Sequence, residues 1–423
     1  MTATPIARRS SFVLSIALLA TLLLGTPAPV RAVAPYAELW VAQRGAASAP
    51  GSSCSNPGYK GKSNAAIQAA IDDAADNAVI HLCPGRYAIT ATLEITGIAV
   101  TLSGAGAKTT ILDGGATVRK DGTWVIGGVQ ILDTDDDLNV VDLAFQNGRG
   151  GYGGAISGGG ATNIIDSTFT KNSTGREGGA VYSEGALYVL RSTFTKNSAV
   201  DYGGAIDAYN TVTIVDSTFT KNHCEGRGGA VWNTSGDATI LNSTFTKNSA
   251  DEDGGALWID EDAFVANSTF TKNSADEDGG AVYGWDSATV TASTFTKNSA
   301  ANAGGAVYSQ GDATVTASTF TKNNGAYNGG ALFTWGDATV TASTFTKNSA
   351  DDTGGAIWIG SPNLQSLLAS IGNTFTKNRS VAGASALFLF CGEGLEATIA
   401  YFRTVNTLRR NSSPSINTLS VCT

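Results

Sequence analysis

The sequence predicts an all-β fold, a parallel β-helix in which each coil takes about 25 residues. Two observations predict it. The string Ser-Thr-Phe-Thr-Lys-Asn recurs with its phenylalanines at Phe169, Phe194, Phe219, Phe245, Phe270, Phe295, Phe320 and Phe345, with Phe145 before them and Phe375 after. Successive spacings are 25 residues, except 24 at the first step, 26 after Phe219 and 30 before Phe375. A fixed period of this size marks stacked supersecondary units. The composition agrees: 51 glycines, 9 prolines and 1 methionine make a chain rich in turns and poor in helix formers.

One unit, residues 304–328, shows how a coil is built. Three short extended pieces are legible: Ala306 to Ser309, Ala313 to Ala317 with Val315 on one face, and Thr319-Phe320-Thr321. Turn-rich stretches separate them, and no window carries the helical spacing of apolar residues. The prediction is three strands per coil, each paired with its copies above and below at about 4.8 Å. Like residues then stack on like. The phenylalanines fill the interior, and Asn172, Asn197, Asn222, Asn248, Asn273, Asn298, Asn323, Asn348 and Asn378 form an amide ladder at a corner. Paired glycines such as Gly304 and Gly305 let the chain turn where a Cβ would clash.

The ends differ from the repeats. Arg8 and Arg9 precede an apolar run from Phe12 to Leu24, and Val30-Arg31-Ala32 supplies small residues at a cleavage position, so residues 1–32 read as an export signal. Residues 33–144 read as the N-terminal cap and first irregular coils, 145–387 as regular coils, and 388–423 as the C-terminal cap. A helix is expected from Asn64 to Asp76, capped by Ser63 and with Ile67 and Ile71 on one face, closing the open end of the coil. In an exported chain, Cys54 and Cys83 are expected to pair, as are Cys391 and Cys422, leaving Cys224 as a buried thiol.

Phe-x-x-Asn together with Gly-Gly-Ala-Ile/Val/Leu, each occurring nine times across 145–378, resembles the chlamydial polymorphic outer-membrane protein repeat within the pectin-lyase-like superfamily. The resemblance implies a right-handed coil and a cell-surface location. It departs in one respect, since this chain is too short to carry the terminal β-barrel of those proteins.

Stacking also predicts surfaces. With each phenylalanine inward, Thr168, Thr170, Thr193, Thr195, Thr218, Thr220, Thr244, Thr246, Thr269, Thr271, Thr294, Thr296, Thr319, Thr321, Thr344 and Thr346 form a flat outward lattice similar to that of insect ice-binding proteins. The residue after Gly-Gly-Ala-aliphatic is aromatic at Tyr182, Trp232, Trp258, Tyr283, Tyr308, Phe333 and Trp358, with Ser157 and Asp207 the exceptions. Trp285 and Trp335 follow two residues behind Tyr283 and Phe333. If the aliphatic residue points inward, these rings form an exposed platform for sugars or a protein; if it points outward, they are core.

The charged residues stack as well. Lys171, Lys196, Lys221, Lys247, Lys272, Lys297, Lys322, Lys347 and Lys377 form a column whose neighbours repel by roughly 1 kcal/mol in water before screening. Nearby carboxylates are expected to offset this. Asp251, Glu252 and Asp253 stack under Asp276, Glu277 and Asp278 and make a candidate Ca²⁺ site. A polysaccharide lyase or hydrolase needs a unique acidic cleft. The only irregular acidic cluster is Asp133, Asp135, Asp136 and Asp137, with Arg149 nearby. His81, inside an apolar strand, reads as structural. The net charge of −9 argues against nucleic acid as the main partner.

The expected function is therefore an exported, monomeric, non-catalytic surface protein, adhesin-like or glycan-contacting, with no transmembrane segment in the mature chain and cell-surface glycans or proteins as partners. A polysaccharide-degrading enzyme and an ice-binding protein are the alternatives.

Overall fold

The computed structural model describes residues 38–44, 51–115, 128–360, 369–382, 385–389, 403–411 and 419–421. The chain divides into Met1–Ala37 and Glu38–Thr423. The first unit, with the expected export signal, lies outside the described residues, as do Cys391 and Cys422. Among the described residues no helix is long and apolar enough to cross a membrane.

Four parallel sheets run along the coil, three of 13 strands and one of nine. A representative turn visits them in order: Val307–Ser309 in what we term the aromatic sheet, Ala313–Thr316 in the valine sheet, Thr319–Thr321 in the phenylalanine sheet, and Asn324–Gly325 in the short sheet. The next turn repeats it in register, with Tyr308 opposite Phe333, Val315 opposite Val340 and Phe320 opposite Phe345. The expectation of three strands per coil missed the fourth. A two-residue strand is too short to show alternation, and its pairing is imposed by the asparagine just before it.

That asparagine fixes the register. The Asn273 backbone N–H and side-chain Nδ2 both donate to Asn298 Oδ1, at 3.0 and 3.1 Å. Asn298 Nδ2 donates to Asn323 Oδ1 at 3.1 Å and back to the Phe270 carbonyl at 3.0 Å. Each amide is thus satisfied while almost wholly buried, which removes the cost an orphaned amide would carry. The ladder runs in one direction from Asn172 to Asn411. A serine ladder absent from the sequence reading runs beside it, each Ser backbone N–H donating to the next Ser Oγ, as Ser293 does to Ser318 at 3.1 Å.

The phenylalanines form the core column. Phe145 to Phe375 are 0% exposed, with successive ring centroids 4.7–5.0 Å apart and planes within 8°. Each buried ring contributes about 1.5–3 kcal/mol. Near-parallel planes also mean that the phenylalanine sheet is little twisted, unlike most open sheets. Of the paired glycines, Gly304 sits at φ +63°, and a Cβ there would approach the Val307 carbonyl oxygen to 2.6 Å.

At the N-terminal end, α1 (Asn64–Asp72) turns Ala66, Ile67, Ala70 and Ile71 into the core. It ends four residues earlier than expected. Ser63 occupies the N-cap position without a side-chain cap hydrogen bond, and its extended backbone bridges to Ala88. Cys54 and Cys83 are joined by a disulfide with their Cα atoms 5.5 Å apart, and Cys224 is a buried free thiol. His81 stacks on Trp40 at 4.1 Å on the outside of the valine sheet, where burial lowers its pKa.

Two substitutions separate core from ladder. Phe295→Ala is expected to lower stability by about 3–5 kcal/mol through a dry cavity. Asn298→Ala is expected to lower it by at least about 2 kcal/mol by orphaning the Asn273 N–H and removing the amide's bond to the Phe270 carbonyl. Chemical denaturation of both variants checks this, and an unchanged midpoint for Asn298→Ala would show that the ladder does not hold the register.

Candidate functional site

The outward residues of the aromatic sheet were the leading candidates, and the structure divides them in two. In each strand the aliphatic residue points into the coil, as Val282 and Val307 do at 0% exposure. The next residue therefore points out. Yet Trp232, Trp258, Tyr283, Tyr308, Phe333 and Trp358 are only 4–7% exposed and form a second apolar cluster outside the main core. The outward alternative holds for direction but not for exposure of these six rings. The rings are outside the coil but covered.

The cover is the chain just before each Gly-Gly. Its residues bridge turn to turn as a narrow wall: Glu177 to Tyr202, Tyr202 to Arg227, Ala303 to Asn328, and Asn328 to Thr353. The rings stack between this wall and the sheet, Trp258 on Tyr283 at 5.7 Å, Tyr283 on Tyr308 at 4.7 Å, Tyr308 on Phe333 at 4.9 Å and Phe333 on Trp358 at 4.2 Å. The two exceptions in the column are compensated across the gap. Ser157 and Asp207 each follow a tyrosine by five residues, Tyr152 and Tyr202, and the Tyr202 ring stacks on Trp232 at 4.2 Å. That five-residue pairing was visible in the sequence and identifies the wall. Asp207 itself is 0% exposed with both carboxylate oxygens lacking hydrogen-bond partners, and burial pushes its pKa well up.

What stays exposed is the residue two positions further along. Trp285 and Trp335, 52% and 45% exposed, occupy the same position two turns apart, and Tyr209, at 37%, occupies it three turns before Trp285. Trp335 is held in place: its Nε1–H donates to the Tyr308 hydroxyl at 2.8 Å, and its ring packs edge-on against Phe333 and Trp358 at 5.4 and 5.2 Å. Tyr209 donates to Glu177 at 3.2 Å, and the half-buried Tyr182 donates to Glu184 at 3.2 Å. The Tyr182 ring lies tilted between Tyr152 and Tyr209, at 5.0 and 5.5 Å. Tyr209 was not singled out from sequence, although its alignment with the two tryptophans would have found it.

The other candidates fall elsewhere. Among the described residues no group of three His, Cys, Asp or Glu side chains converges to hold a metal ion. Several carboxylates of the candidate Ca²⁺ site are engaged with other groups. Glu252 and Asp253 pair with Arg227 at 3.0 and 3.3 Å, and Asp253 and Asp278 accept the backbone N–H groups of Asp278 and Ala303. Asp251, Asp276 and Glu277 remain on turns facing solvent. In the irregular acidic cluster, Asp136 accepts the Ile98 N–H at 3.1 Å and Asp137 the Ala161 N–H at 2.8 Å, bracing adjacent turns. Asp133 lies in the strand Leu132–Thr134, Asp135 is exposed beside it, and Arg149 is exposed on another strand.

The threonines from Thr168 to Thr346 flank each buried phenylalanine and are half-buried on the outer face. The lysine column is exposed at every position. Among the described residues none of its members forms an ion pair. The direct pairing with carboxylates is not made at this column; Glu252 and Asp253 pair with Arg227 instead.

A family model described as right handed beta helix region matches residues 127–295 and 228–412. No curated protein matches the chain. Among solved structures, the catalytic unit of the thermostable GH87 alpha-1,3-glucanase from Streptomyces thermodiastaticus strain HF3-3 aligns with 84% of this chain at 15% identity and a TM-score of 0.34. The chain spans 65% of that structure's length.

The wall carries a pH dependence. Burial first, then the neighbouring Asp253 and Glu277 charges, push the Asp278 carboxyl up from 3.8 to about 6, against the Ala303 N–H, and burial also raises Asp253. A carboxyl raised on folding favours the native state when protonated, so its contribution is present at low pH and is lost as pH rises through about 6. Lowering the pH from 7 to 5 is expected to raise the melting midpoint. Asp278→Asn is expected to flatten that rise, by up to about 1 kcal/mol. Thermal melts of both proteins across this range check it.

Proposed function

The chain belongs to the right-handed beta helix family, and from that premise we propose that it is an exported, non-catalytic scaffold that contacts glycans at a cell surface, in the manner of an adhesin. One observation carries the reading: Trp285 and Trp335 present exposed indole rings at the same position of turns two apart, about 9.6 Å, on a backing of stacked buried rings. A flat aromatic face docks the apolar side of a sugar ring, and a tryptophan already fixed by Tyr308, Phe333 and Trp358 loses little entropy on binding. Spaced rings add weak contacts into avidity along a chain of sugars. Tyr209 extends the same line.

The non-catalytic part of the reading is supported by the use made of the acidic residues. Asp136 and Asp137 brace backbone, and Asp207 is fully buried. The ice-binding alternative has a regular threonine lattice in its favour, but a row of uncompensated charges borders that lattice.

On a glycan array, the double variant Trp285→Ala/Trp335→Ala is expected to lose at least tenfold in apparent affinity for the best-bound neutral glycans while remaining folded, with only a modest fall in melting midpoint from the Trp335 packing it gives up. Undiminished binding by that variant would remove the proposed platform. Release of sugar products from polygalacturonate, abolished by Asp136→Ala, would instead establish an enzyme.

A further inference from the structure

Two departures from the repeat fall in adjacent turns. At the outward position of the aromatic strand, where most turns carry a ring, Asp207 stands between Tyr182 and Trp232. It is 0% exposed, and neither carboxylate oxygen has a hydrogen-bond partner. At the second position of the short sheet, later turns carry Ala250, Ala275, Ala300, Gly325 and Ala350. The turn after Asp207 has Cys224 there, a free thiol that is also 0% exposed. Its sulfur lies 3.8 Å from the Val200 carbonyl oxygen. Val200 leads directly into Tyr202 of the wall, whose ring stacks on Trp232 at 4.2 Å. One wall segment, Val200 to Tyr202, thus packs on the thiol at one end and on the ring beside the carboxyl at the other.

The carboxyl has no counter-ion among the described residues. The charged and titratable groups on the elements around it are Glu177, Asp201 and Tyr202 in the wall, Tyr182 and Tyr209 on the aromatic side, and the Cys224 thiol. Both arginines of the adjoining wall are engaged elsewhere, Arg176 over the Tyr152 ring at 4.8 Å and Arg227 with Glu252 and Asp253. Burial, then the Glu177 charge, pushes the Asp207 carboxyl well above the usual carboxylate range. It is therefore neutral in the closed fold, and ionising it requires water. Ile206 and Ala208 on either side are 0% exposed, and their strand is paired on both edges. The wall is held more thinly. Single bridges join it turn to turn at Tyr202, and Val200 is already 38% exposed. Such surface segments open at far lower free energy than sheet interiors.

We propose that Val200 to Tyr202 is a proton-held latch, shut while Asp207 is a neutral acid and released when Asp207 ionises, uncovering the Cys224 thiol. The sign follows from linkage: a carboxyl whose pKa is raised on closing favours the closed form at low pH. With the latch open the carboxyl is in water and ionises at about pH 4. Each pH unit above that shifts the balance roughly tenfold toward opening, until the closed carboxyl itself titrates. The thiol reads out the change. Behind the latch, burial pushes Cys224 far above the usual thiol range and keeps it inert; in water it becomes an ordinary reactive cysteine. Acid surroundings conceal the thiol and neutral ones release it. The latch lies three turns before Trp285 and does not depend on what that tryptophan binds.

The test is the rate at which the full, folded chain reacts with dithiodipyridine between pH 5 and 7, with Cys224→Ser supplying any background from Cys391 and Cys422. Thiolate formation speeds labelling with pH in every protein. The comparison is therefore with Asp207→Asn, which keeps the shape and cannot ionise. The native rate is expected to climb more steeply than that variant's, by roughly tenfold per pH unit. Tyr202→Ala, which gives up the ring contact with Trp232, is expected to label about tenfold faster than the native chain at pH 5. Asp278→Asn, in the wall three turns on, is expected to leave labelling unchanged, since the opening is local. Parallel pH profiles for the native chain and Asp207→Asn would overturn the proposal. So would an unaltered rate in Tyr202→Ala, or a rate in Asp278→Asn that falls as its melting midpoint rises, which would mark global unfolding as the route to the thiol.

Discussion

Register is the constraint on which the rest depends. A parallel coil of identical short strands has no intrinsic means of telling one alignment from another two residues away, and weakly specified strands slip. Here the buried asparagine amide admits only one alignment. Its Oδ1 must meet the N–H and Nδ2 of the asparagine one turn earlier, and its own Nδ2 must reach the phenylalanine carbonyl of that earlier turn, as Asn298 does with Asn273 and Phe270. A shift would bury orphaned amides in every turn at once. The phenylalanine rings supply much of the burial energy, but the amides decide which ring lies over which.

Fixing the register turns sequence repetition into surface repetition. Each column of the coil either closes on itself or is left open to solvent. The phenylalanine and asparagine columns close inside. The aromatic column closes outside, against a wall that needs its own stacking. The threonine and lysine columns close against nothing, and Trp285 and Trp335 break out of an otherwise sealed face. Function in such a molecule is a matter of which columns remain open.

Much of this was legible in the sequence, and the failures have a common cause. The period of Phe169 to Phe345 and the alternation around Val315 and Phe320 predicted parallel stacking, an inward ring and an outward threonine pair, as found. They also predicted the amide ladder. Alternation tells which side of a strand a residue leaves from; it does not tell what the chain folds over that side afterwards. Tyr283 and Tyr308 therefore leave outward as one alternative held, yet are buried. Likewise adjacency of the six stacked carboxylates from Asp251 to Asp278 does not tell which of them turn to other partners. Asp253 and Asp278 turn toward the wall and its backbone, while Glu252 is drawn to Arg227. The two-residue strands escaped notice because nothing in Ser-Ala has a period.

The one-way ladder has an outcome for how such a chain varies. Every interior turn offers its successor the same set of donors and acceptors, so inserting or deleting one whole unit leaves each remaining contact of the same kind. Genetic exchange between copies this similar therefore changes length in steps of one turn at little cost to folding, and moves landmarks such as Trp285 and Trp335 apart or together by about 4.8 Å at a time. The coil behaves as a graduated ruler whose marks can be reset without recasting the material.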